Sequence, residues 1–353
     1  MSLDEWRSRI NNLDNQIFDL LTQRAEAAFH IGDLKRRSGL SAYAPEREAE
    51  VMRRLESTDG TRLSSEAIRA IWREIISGCR ALEATMTVAF LGPQATFTHQ
   101  AALAHFGASV DFRPSRTIAD VFEEVERARV DWGVVPVENT TEGAVNVTLD
   151  RLLTTEAIIS GELRLDISQQ LLSRAPDLAS VKRVLSHPQG LAQCRTWLRT
   201  HLADAILEDH PSTAGAVEVA AGDPTVAGIA SELAGRLYGV PVLRANIEDQ
   251  PGNSTRFLVI GRRHAAPTGR DKTSIVFAMR NEPGSLHRIL EPMARLGINM
   301  TKIESRPARQ QPWQYVMFVD FEGHRDVTPA ATALAEIGER ALFLKVLGSY
   351  PAA

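Results

Sequence analysis

Arg24 is the residue whose setting points most clearly to chemistry. Apolar residues recur at heptad spacing, which predicts one long helix with a packing seam formed by Leu3, Trp6, Ile10, Leu13, Ile17, Leu20, Ala27, Ile31 and Leu34. Arg24 falls on this seam, and no acidic residue occupies the neighbouring seam positions. A guanidinium in a packing seam loses its hydration at a high cost unless an anion meets it. The spacing therefore indicates either a bound anionic substrate or an ion pair within a helical dimer.

Lys35 favours the substrate interpretation. It follows Arg24 by eleven residues, and at about 100° per residue it returns to nearly the same helix face. Arg7 precedes Arg24 by seventeen residues, roughly 25 Å along a helix, which is too far to bind the same small molecule. We therefore expect Arg7 to serve a neighbouring copy of the chain.

Two more helices are predicted before residue 87. Pro45 suits the first turn of the second helix, a polar loop runs from Ser57 to Arg62, and Ser64 or Ser65 can cap the third helix. The three helices bring five charged residues near apolar faces, namely Arg24, Lys35, Arg47, Glu48 and Glu83. This segment is too small for a good core of its own, so we expect it to dimerise.

From Thr87 onward, short β-rich runs alternate with helical stretches, which predicts an α/β architecture with a largely parallel sheet. Four strand ends carry hydroxyls, amides or a histidine where a helix begins, at residues 92–98, 138–141, 186–189 and 211–214. Helix N-termini carry free N–H groups and partial positive charge, so several of them at one cleft would bind a carboxylate-rich small molecule. Taken singly, each turn is explained by helix capping.

Residues 262–272 are basic, contain proline and glycine, and are typical of a linker. The residues beyond them predict a strand–helix–strand–strand–helix–strand order, which is ferredoxin-like, over Thr273–Met279, Ser285–Leu296, Ile298–Ser305, Tyr315–Phe321, Pro329–Arg340 and Leu342–Leu347. Units of this kind often bind a small ligand or a second copy of themselves.

Composition excludes several classes of protein. The chain has 353 residues, enough for two or three domains, and its net charge of −4 gives no indication of a nucleic-acid partner. Cys79 and Cys194 are far apart, which favours a reducing compartment, and the cysteines and histidines lack metal-ligand spacing. No basic, apolar leader or membrane-length apolar run is present. We expect a cytoplasmic protein without a membrane partner, a metal or another cofactor.

The whole chain resembles the bifunctional chorismate mutase/prephenate dehydratase family. The most specific segments are Asn253-Ser254-Thr255-Arg256-Phe257, similar to the dehydratase Thr-Arg-Phe signature, and Glu304-Ser305-Arg306-Pro307, similar to the signature of a phenylalanine site. The resemblance implies three domains: an all-α chorismate mutase at 1–86, a two-lobed, periplasmic-binding-protein-like prephenate dehydratase at 87–264, and a ferredoxin-like ACT regulatory domain at 271–353. It implies conversion of chorismate to prephenate and of prephenate to phenylpyruvate, with feedback by L-phenylalanine.

On the mutase segment, the substrate-binding positions of the family fall on Arg7, Arg24, Lys35, Arg47, Glu48 and Glu83. Lys35 and Glu83 would donate hydrogen bonds to the ether oxygen. Other members have glutamine at the position of Glu83; a glutamine donates at any pH, whereas Glu83 can donate only when it is protonated. Ala44 replaces a residue that is acidic in some members, and Gln94-Ala95 replaces the usual Glu-Gly pair of the dehydratase.

For the dehydratase, side-chain chemistry alone favours Glu138 or His187 as the acid for the leaving hydroxyl, whereas the resemblance points to Thr255. It also assigns prephenate binding to Thr96, Asn139, Thr140, His187, Gln189, Ser212, Thr213, Arg256 and Phe257. Effector binding is assigned to Gly284, Ser285, Leu286, His287, Glu304, Ser305 and Arg306. A solute-binding protein or a non-catalytic amino-acid sensor are the alternatives. The first would normally carry an export signal, and the second does not need Arg24 on an apolar seam.

Overall fold

The computed structural model describes residues 1–57, 61–307 and 315–352. They form two compact units, one of Met1–Thr87 with His105–Asp111, and one of Val88–Ala104 with Phe112–Ala353. Within the described residues, no helix is both long and apolar enough to cross a membrane.

The first unit is built on three helices, α1 (Leu3–Arg37), α2 (Pro45–Glu56) and α3 (Ser65–Glu83). Their starts follow from the sequence, because Pro45 occupies the first turn of α2 and the Ser64 hydroxyl accepts the N–H of Ala67 at 3.2 Å. The predicted loop from Ser57 to Arg62 includes residues 58–60, which lie outside the described residues.

Close packing of α1 on α3 sets the positions of the charged side chains. A Cβ atom at Gly32 would lie 2.7 Å from the Cα of Glu83, so only glycine permits this approach. Among the described residues, the N-terminal half of α1 has no such packing partner. Its seam residues Trp6, Ile10 and Ile17 are 49%, 55% and 53% exposed, so the apolar seam that the heptad predicts is open to solvent.

A buried polar cluster closes the other side of the first unit. Arg80 is 4% exposed, lies over the rings of Tyr43 and Phe106, and donates to the Phe106 carbonyl at 2.5 Å. The Tyr43 hydroxyl lies 2.7 Å from Nε2 of His105. Burial, with help from the Arg80 and Arg73 charges, lowers the pKa of His105 to about 3.

The chain from Thr87 to Asp166 contributes β1 (Thr87–Leu91), α4 (Phe97–Phe106), β2 (Asp111–Ser115), α5 (Ile118–Glu126), β3 (Trp132–Asn139), β4 (Gly143–Ala144), α6 (Asn146–Thr154) and β5 (Ile158–Asp166). The next part, to Gly261, contributes β6 (Gln170–Ser173), a 3₁₀ turn (Leu178–Ser180), β7 (Arg183–Ser186), α7 (Pro188–Gln193), α8 (Arg195–His201), β8 (Ile206–Asp209), α9 (Thr213–Gly222), β9 (Val226–Ala230), α10 (Glu232–Tyr238), β10 (Val242–Arg244) and β11 (Ser254–Gly261).

These strands form two mixed sheets, so the expectation of a largely parallel sheet was wrong. The first sheet has the order β2-β1-β3-β11-β5, with β4 beside β3, and the second has the order β10-β6-β9-β7-β8. The chain leaves the first sheet after β5, builds the second, and returns as β11. That strand runs antiparallel to both of its neighbours, β3 and β5.

The C-terminal elements are β12 (Asp271–Ala278), α11 (Ser285–Arg295), β13 (Met300–Pro307), β14 (Tyr315–Glu322), α12 (Ala330–Arg340) and β15 (Phe343–Pro351). Their order along the chain is the predicted one, and they form an antiparallel sheet ordered β13-β14-β12-β15. One face of this sheet packs on α11 and α12 through residues such as Phe277 and Ile289. The other face shares a core with the first sheet, in which Val276 and Phe318 join Val135 and Leu258.

We predict that the first unit loses stability in mild acid because of His105. The unfolded state takes up a proton as the pH falls below about 6.5, whereas the folded state stays neutral down to about pH 3, so folding becomes less favourable throughout that range. The loss amounts to about 1.4 kcal/mol per pH unit. His105→Gln should reduce the stability difference between about pH 7 and pH 5, measured by urea unfolding of the full chain. An equal difference in the variant and the wild type would contradict this assignment.

Candidate functional sites

The first candidate site is a cavity of about 420 Å³ among the three helices of the first unit. Its lining includes the predicted Arg24, Lys35, Arg47, Glu48 and Glu83, together with Arg54 and Arg80. Cations therefore outnumber carboxylates in this lining, and the volume suits a small molecule. An anionic ligand complements such a cavity.

Lys35 and Glu83 form the centre of the cavity wall. The Lys35 ammonium lies 2.8 Å from Oε2 of Glu83 and donates to the Ala42 carbonyl at 2.8 Å. Glu83 is thus a hydrogen-bond acceptor here, and its carboxylate orients the Lys35 ammonium. The sequence spacing predicted that Lys35 lies on the helix face of Arg24, but it did not predict the ion pair between Lys35 and Glu83.

Arg24 differs from the other cations of the cavity. It is half-buried, and within the part of the chain that the structure describes it has no ion pair or side-chain hydrogen bond. Arg47, by contrast, lies 2.6 Å from Glu50. Arg24 therefore keeps all of its donors for a ligand.

Arg80 holds Glu48 in the wall, and sequence reasoning missed it. The Arg80 guanidinium contacts the Glu48 carboxylate from its buried position. Burial raises the pKa of Glu48, and the Arg80 charge opposes that rise. Arg80 directly follows Cys79, a buried residue of α3, and its place beside an apolar residue of a helix was the available signal. Arg7 does not line the cavity; it is exposed and pairs with Asp4 at 3.5 Å.

The second candidate site is a hydrogen-bonded pair on adjacent strands of the first sheet. Asn139 and Thr255 are 7% and 8% exposed and lie opposite each other in the β3–β11 register. The Asn139 amide nitrogen donates to the Thr255 hydroxyl oxygen at 2.8 Å. The amide orientation is fixed because its oxygen accepts the N–H groups of Thr141 and Glu142 at 2.9 and 3.2 Å. The hydroxyl proton of Thr255 is therefore free to be donated to a ligand.

Asn253 completes this cluster. Its side-chain oxygen accepts from Asn139 at 2.9 Å and from the Thr140 and Thr141 hydroxyls at 3.1 and 3.3 Å. Asn253 opens the Thr-Arg-Phe segment of the sequence, and nothing in that pattern indicated that its side chain would hold Asn139.

The other predicted dehydratase residues lie in different surroundings. His187 is exposed and its Nδ1 accepts the N–H of Gln189 at 3.3 Å, while the Ser212 hydroxyl caps α9 through Gly215. A Cβ atom at Gly190 would lie 3.7 Å from Thr213. The start of α7, with His187 and Gln189, and the start of α9, with Ser212 and Thr213, therefore lie at one edge of the second sheet. The Thr96 hydroxyl donates to the Leu91 and Pro93 carbonyls at 2.9 and 3.1 Å, in a loop whose Ala95 packs in the core of the second sheet.

Arg256 and Phe257 follow Thr255 in the same strand, but their side chains do not face a ligand beside the Asn139–Thr255 pair. Phe257 is only 1% exposed. Arg256 lies on the face of β11 opposite Thr255, where its Nε is 2.7 Å from Glu162 and its Nη1 is 2.6 Å from Asp320. Its donors are engaged by protein groups.

The predicted effector residues occupy two regions of the C-terminal sheet and its helices. Ser285 and His287 line a cavity of about 560 Å³ at the start of α11, after Gly284 with its positive φ of 76°. Leu286 packs against the α11 and α12 core. Glu304, Ser305 and Arg306 lie on β13 and do not line that cavity, and Arg306 pairs with Asp150 at 3.0 Å.

Comparison with known proteins assigns the family. Residues 6–84 match the chorismate mutase type II family, residues 88–265 the prephenate dehydratase family and residues 273–339 the ACT domain. A bifunctional chorismate mutase/prephenate dehydratase of Aquifex aeolicus is 47% identical over 355 residues, which cover 99% of this chain and 98% of that protein. The chain belongs to the bifunctional chorismate mutase/prephenate dehydratase family.

Solved structures match about three quarters of this family member. A prephenate dehydratase of Arthrobacter aurescens in complex with L-Phe has a TM-score of 0.70 and 34% identity, covering 76% of this chain and 90% of its own. A chain described as GqqA, a novel type of quorum quenching acylase, has a TM-score of 0.69 and 31% identity, covering 76% of this chain and 98% of its own. A fold shared with an acylase means that function here must be argued from the site itself.

We predict that Asn139→Asp lowers dehydratase activity by about a hundredfold or more, because an aspartate would accept the Thr255 proton that the asparagine leaves free. The change is nearly isosteric and keeps the acceptor for the N–H groups of Thr141 and Glu142. Steady-state kinetics measure the effect, and mutase activity of the same variant is the control. Dehydratase activity at the wild-type level would show that the direction of this hydrogen bond is unimportant.

Proposed function

We propose that this enzyme binds chorismate in the cavity of the first unit and prephenate at the Asn139–Thr255 pair, and that L-phenylalanine inhibits it through the C-terminal sheet. The chain is a bifunctional enzyme of phenylalanine biosynthesis, with chorismate mutase and prephenate dehydratase activities. The observation that carries the site assignment is the unpaired Arg24 beside the Lys35–Glu83 pair in a cation-rich cavity.

Chorismate rearranges to prephenate within one molecule, so the mutase needs no nucleophile or cofactor. The site must fold a dianion and stabilise the charge that builds on the breaking ether oxygen. Arg24 and Arg47 offer guanidinium donors to the two carboxylates. Glu83 and the Ala42 carbonyl already orient Lys35 by accepting two of its N–H groups. Its third N–H can therefore donate a hydrogen bond to the ether oxygen.

A second copy of the chain completes this site in our proposal. The exposed seam of α1 is an apolar surface that a copy of the same seam would cover. Arg7 lies on α1 and is 67% exposed, available to the cavity of such a partner. We therefore propose a homodimer or higher homo-oligomer.

In the dehydratase, Thr255 is our candidate for the acid that protonates the leaving hydroxyl of prephenate. The hydroxyl then leaves as water, the C–C bond to the ring carboxylate breaks to release carbon dioxide, and its electron pair completes the aromatic ring of phenylpyruvate. Thr255 recovers its proton from solvent. The pair geometry supports Thr255 because Asn139 fills the acceptor side of its hydroxyl. Glu138 is a weaker candidate, since its carboxylate lies 2.8 Å from Lys302 on the opposite face of β3. Thr140 adjoins the pair, and the second sheet would contribute His187, Gln189, Ser212 and Thr213 across a cleft of two periplasmic-binding-protein-like lobes.

Feedback by L-phenylalanine is proposed from the C-terminal region and from the Arthrobacter aurescens enzyme, whose structure is a complex with L-Phe. The order β13-β14-β12-β15 supports the ferredoxin-like fold that we propose for this region. The turn at Gly284 presents the free N–H groups of α11 to an effector carboxylate. Glu304 and Ser305 would bind or position its ammonium group.

We propose domain boundaries at 1–86, 87–264 and 271–353, and a cytoplasmic location. The buried, unpaired Cys79 and Cys194 support a reducing compartment.

Arg24→Ala should lower chorismate turnover by at least about a hundredfold, because it removes donors that bind the substrate dianion as charge redistributes. Chorismate consumption measures this effect, and dehydratase activity on added prephenate should persist. Arg37→Ala, an exposed arginine of the same helix outside the cavity lining, is the matched control. Normal turnover by Arg24→Ala would refute the anion-binding role of the seam.

Thr255→Ala should abolish phenylpyruvate formation from prephenate, a fall of at least about a hundredfold, while the mutase rate survives. Thr255→Ser should retain measurable activity because it keeps both the hydroxyl and the acceptor for Asn139. Equal activity of the alanine and serine variants would make Thr255 a structural residue.

A further inference from the structure

Strand β13 carries the Glu304-Ser305-Arg306 segment, and one of its faces is fastened to the dehydratase sheet. Residues alternate along the strand, so that Lys302, Glu304 and Arg306 are half-buried while Ile303 and Ser305 are exposed. The Lys302 ammonium lies 2.8 Å from Oε2 of Glu138, and Arg306 lies 3.0 Å from Asp150. Glu304 is therefore flanked on its own face by two ion pairs to the dehydratase.

The Lys302–Glu138 pair lies directly behind the proposed dehydratase site. Glu138 immediately precedes Asn139 in β3, and the two side chains point to opposite faces of the sheet. Asn139 donates to Thr255 on one face, and Glu138 meets Lys302 on the other. A displacement of β13 that pulls on Glu138 must move the backbone that carries Asn139.

Lys302 is well suited to hold that position. Its side chain is 14% exposed and its partner Glu138 is 40% exposed, so the ammonium is largely removed from water and depends on this carboxylate. Arg256, in register with Glu138 on β11, approaches the same carboxylate only to 4.0 Å. Lys302 is thus the nearest cation to Glu138 among the described residues.

We propose that Lys302 is a positioning residue that couples effector binding on β13 to the Asn139–Thr255 pair through Glu138. The inference rests on the proposed feedback by L-phenylalanine. An effector that binds one arrangement of β13 better than another shifts the population toward that arrangement. The shift inhibits the enzyme when it moves Asn139 away from the geometry that orients the Thr255 hydroxyl, because small misplacements of reacting groups cost large factors in rate.

The test compares Lys302→Met with Lys345→Met in the full chain. Lys345 also joins the C-terminal sheet to the dehydratase, since its ammonium donates to the Leu152 carbonyl at 3.1 Å and to the Thr155 carbonyl. It meets the end of α6 rather than the strands of the site. Spatial proximity alone does not establish coupling, so the measurement is L-phenylalanine inhibition of prephenate turnover beside calorimetric binding of L-phenylalanine.

We expect Lys302→Met to bind L-phenylalanine like the wild type. The inhibition of its prephenate turnover by L-phenylalanine should be at least about fivefold weaker, which is the lower end of typical coupling between two sites. Lys345→Met should be inhibited like the wild type, and Lys302→Arg should restore inhibition because it keeps a cation beside Glu138. Full inhibition of Lys302→Met would overturn the proposal, as would loss of inhibition in both methionine variants. Loss of L-phenylalanine binding by Lys302→Met would instead make Lys302 part of the effector site. Absence of binding by the wild type would refute the feedback proposal itself.

Discussion

The burial of Arg256 constrains how the two sheets that meet at β11 and β14 pack in the second unit. Arg256 is 8% exposed, and its guanidinium is met by Glu162 from β5, Asp320 from β14 and the Tyr350 hydroxyl from β15 at 3.0 Å. Burial works to lower the pKa of Arg256, but the surrounding Tyr350, Asp320 and Glu162 groups outweigh it and raise the pKa. A buried charge that loses one partner costs about 3–5 kcal/mol, so the C-terminal sheet must stay docked on the dehydratase sheet. The strand that carries Thr255 is thereby held by the regulatory part of the chain.

This constraint explains why the sequence motif around Thr255 has two physical functions. Residues 255 and 256 are neighbours in a strand, so their side chains must point to opposite faces. Thr255 meets Asn139, and Arg256 meets the C-terminal sheet. The period-two alternation of a strand predicts this separation from the sequence alone. The resemblance grouped the two residues because a motif records adjacency along the chain and not the direction of each side chain.

Local patterns predicted much of the fold, whereas non-local contacts escaped prediction. The helical period placed Arg24 and Lys35 on one face, Pro45 and Ser64 marked helix starts, and the order of the C-terminal elements followed from their runs of apolar residues. The antiparallel return of β11 depends on pairing with β3, more than a hundred residues earlier in the chain, and no local pattern predicts such a distant partner. The same holds for the packing of His105–Asp111 with the first unit, which leaves Arg80 and His105 buried together.

The two candidate sites meet opposite electrostatic requirements. The cavity of the first unit holds a half-buried cation, Arg24, that has no ion pair among the described residues, and such an unpaired charge lowers the stability of the free fold while it favours binding of an anion. The pair at Asn139 is neutral, fully hydrogen-bonded on its acceptor side and buried, so it costs little to hold and supplies one oriented proton. Charge is instead concentrated behind that pair, where Glu138, Lys302 and Arg256 join the sheets. Separation of this kind lets the contacts of the C-terminal sheet change without placing a new charge beside the Thr255 hydroxyl.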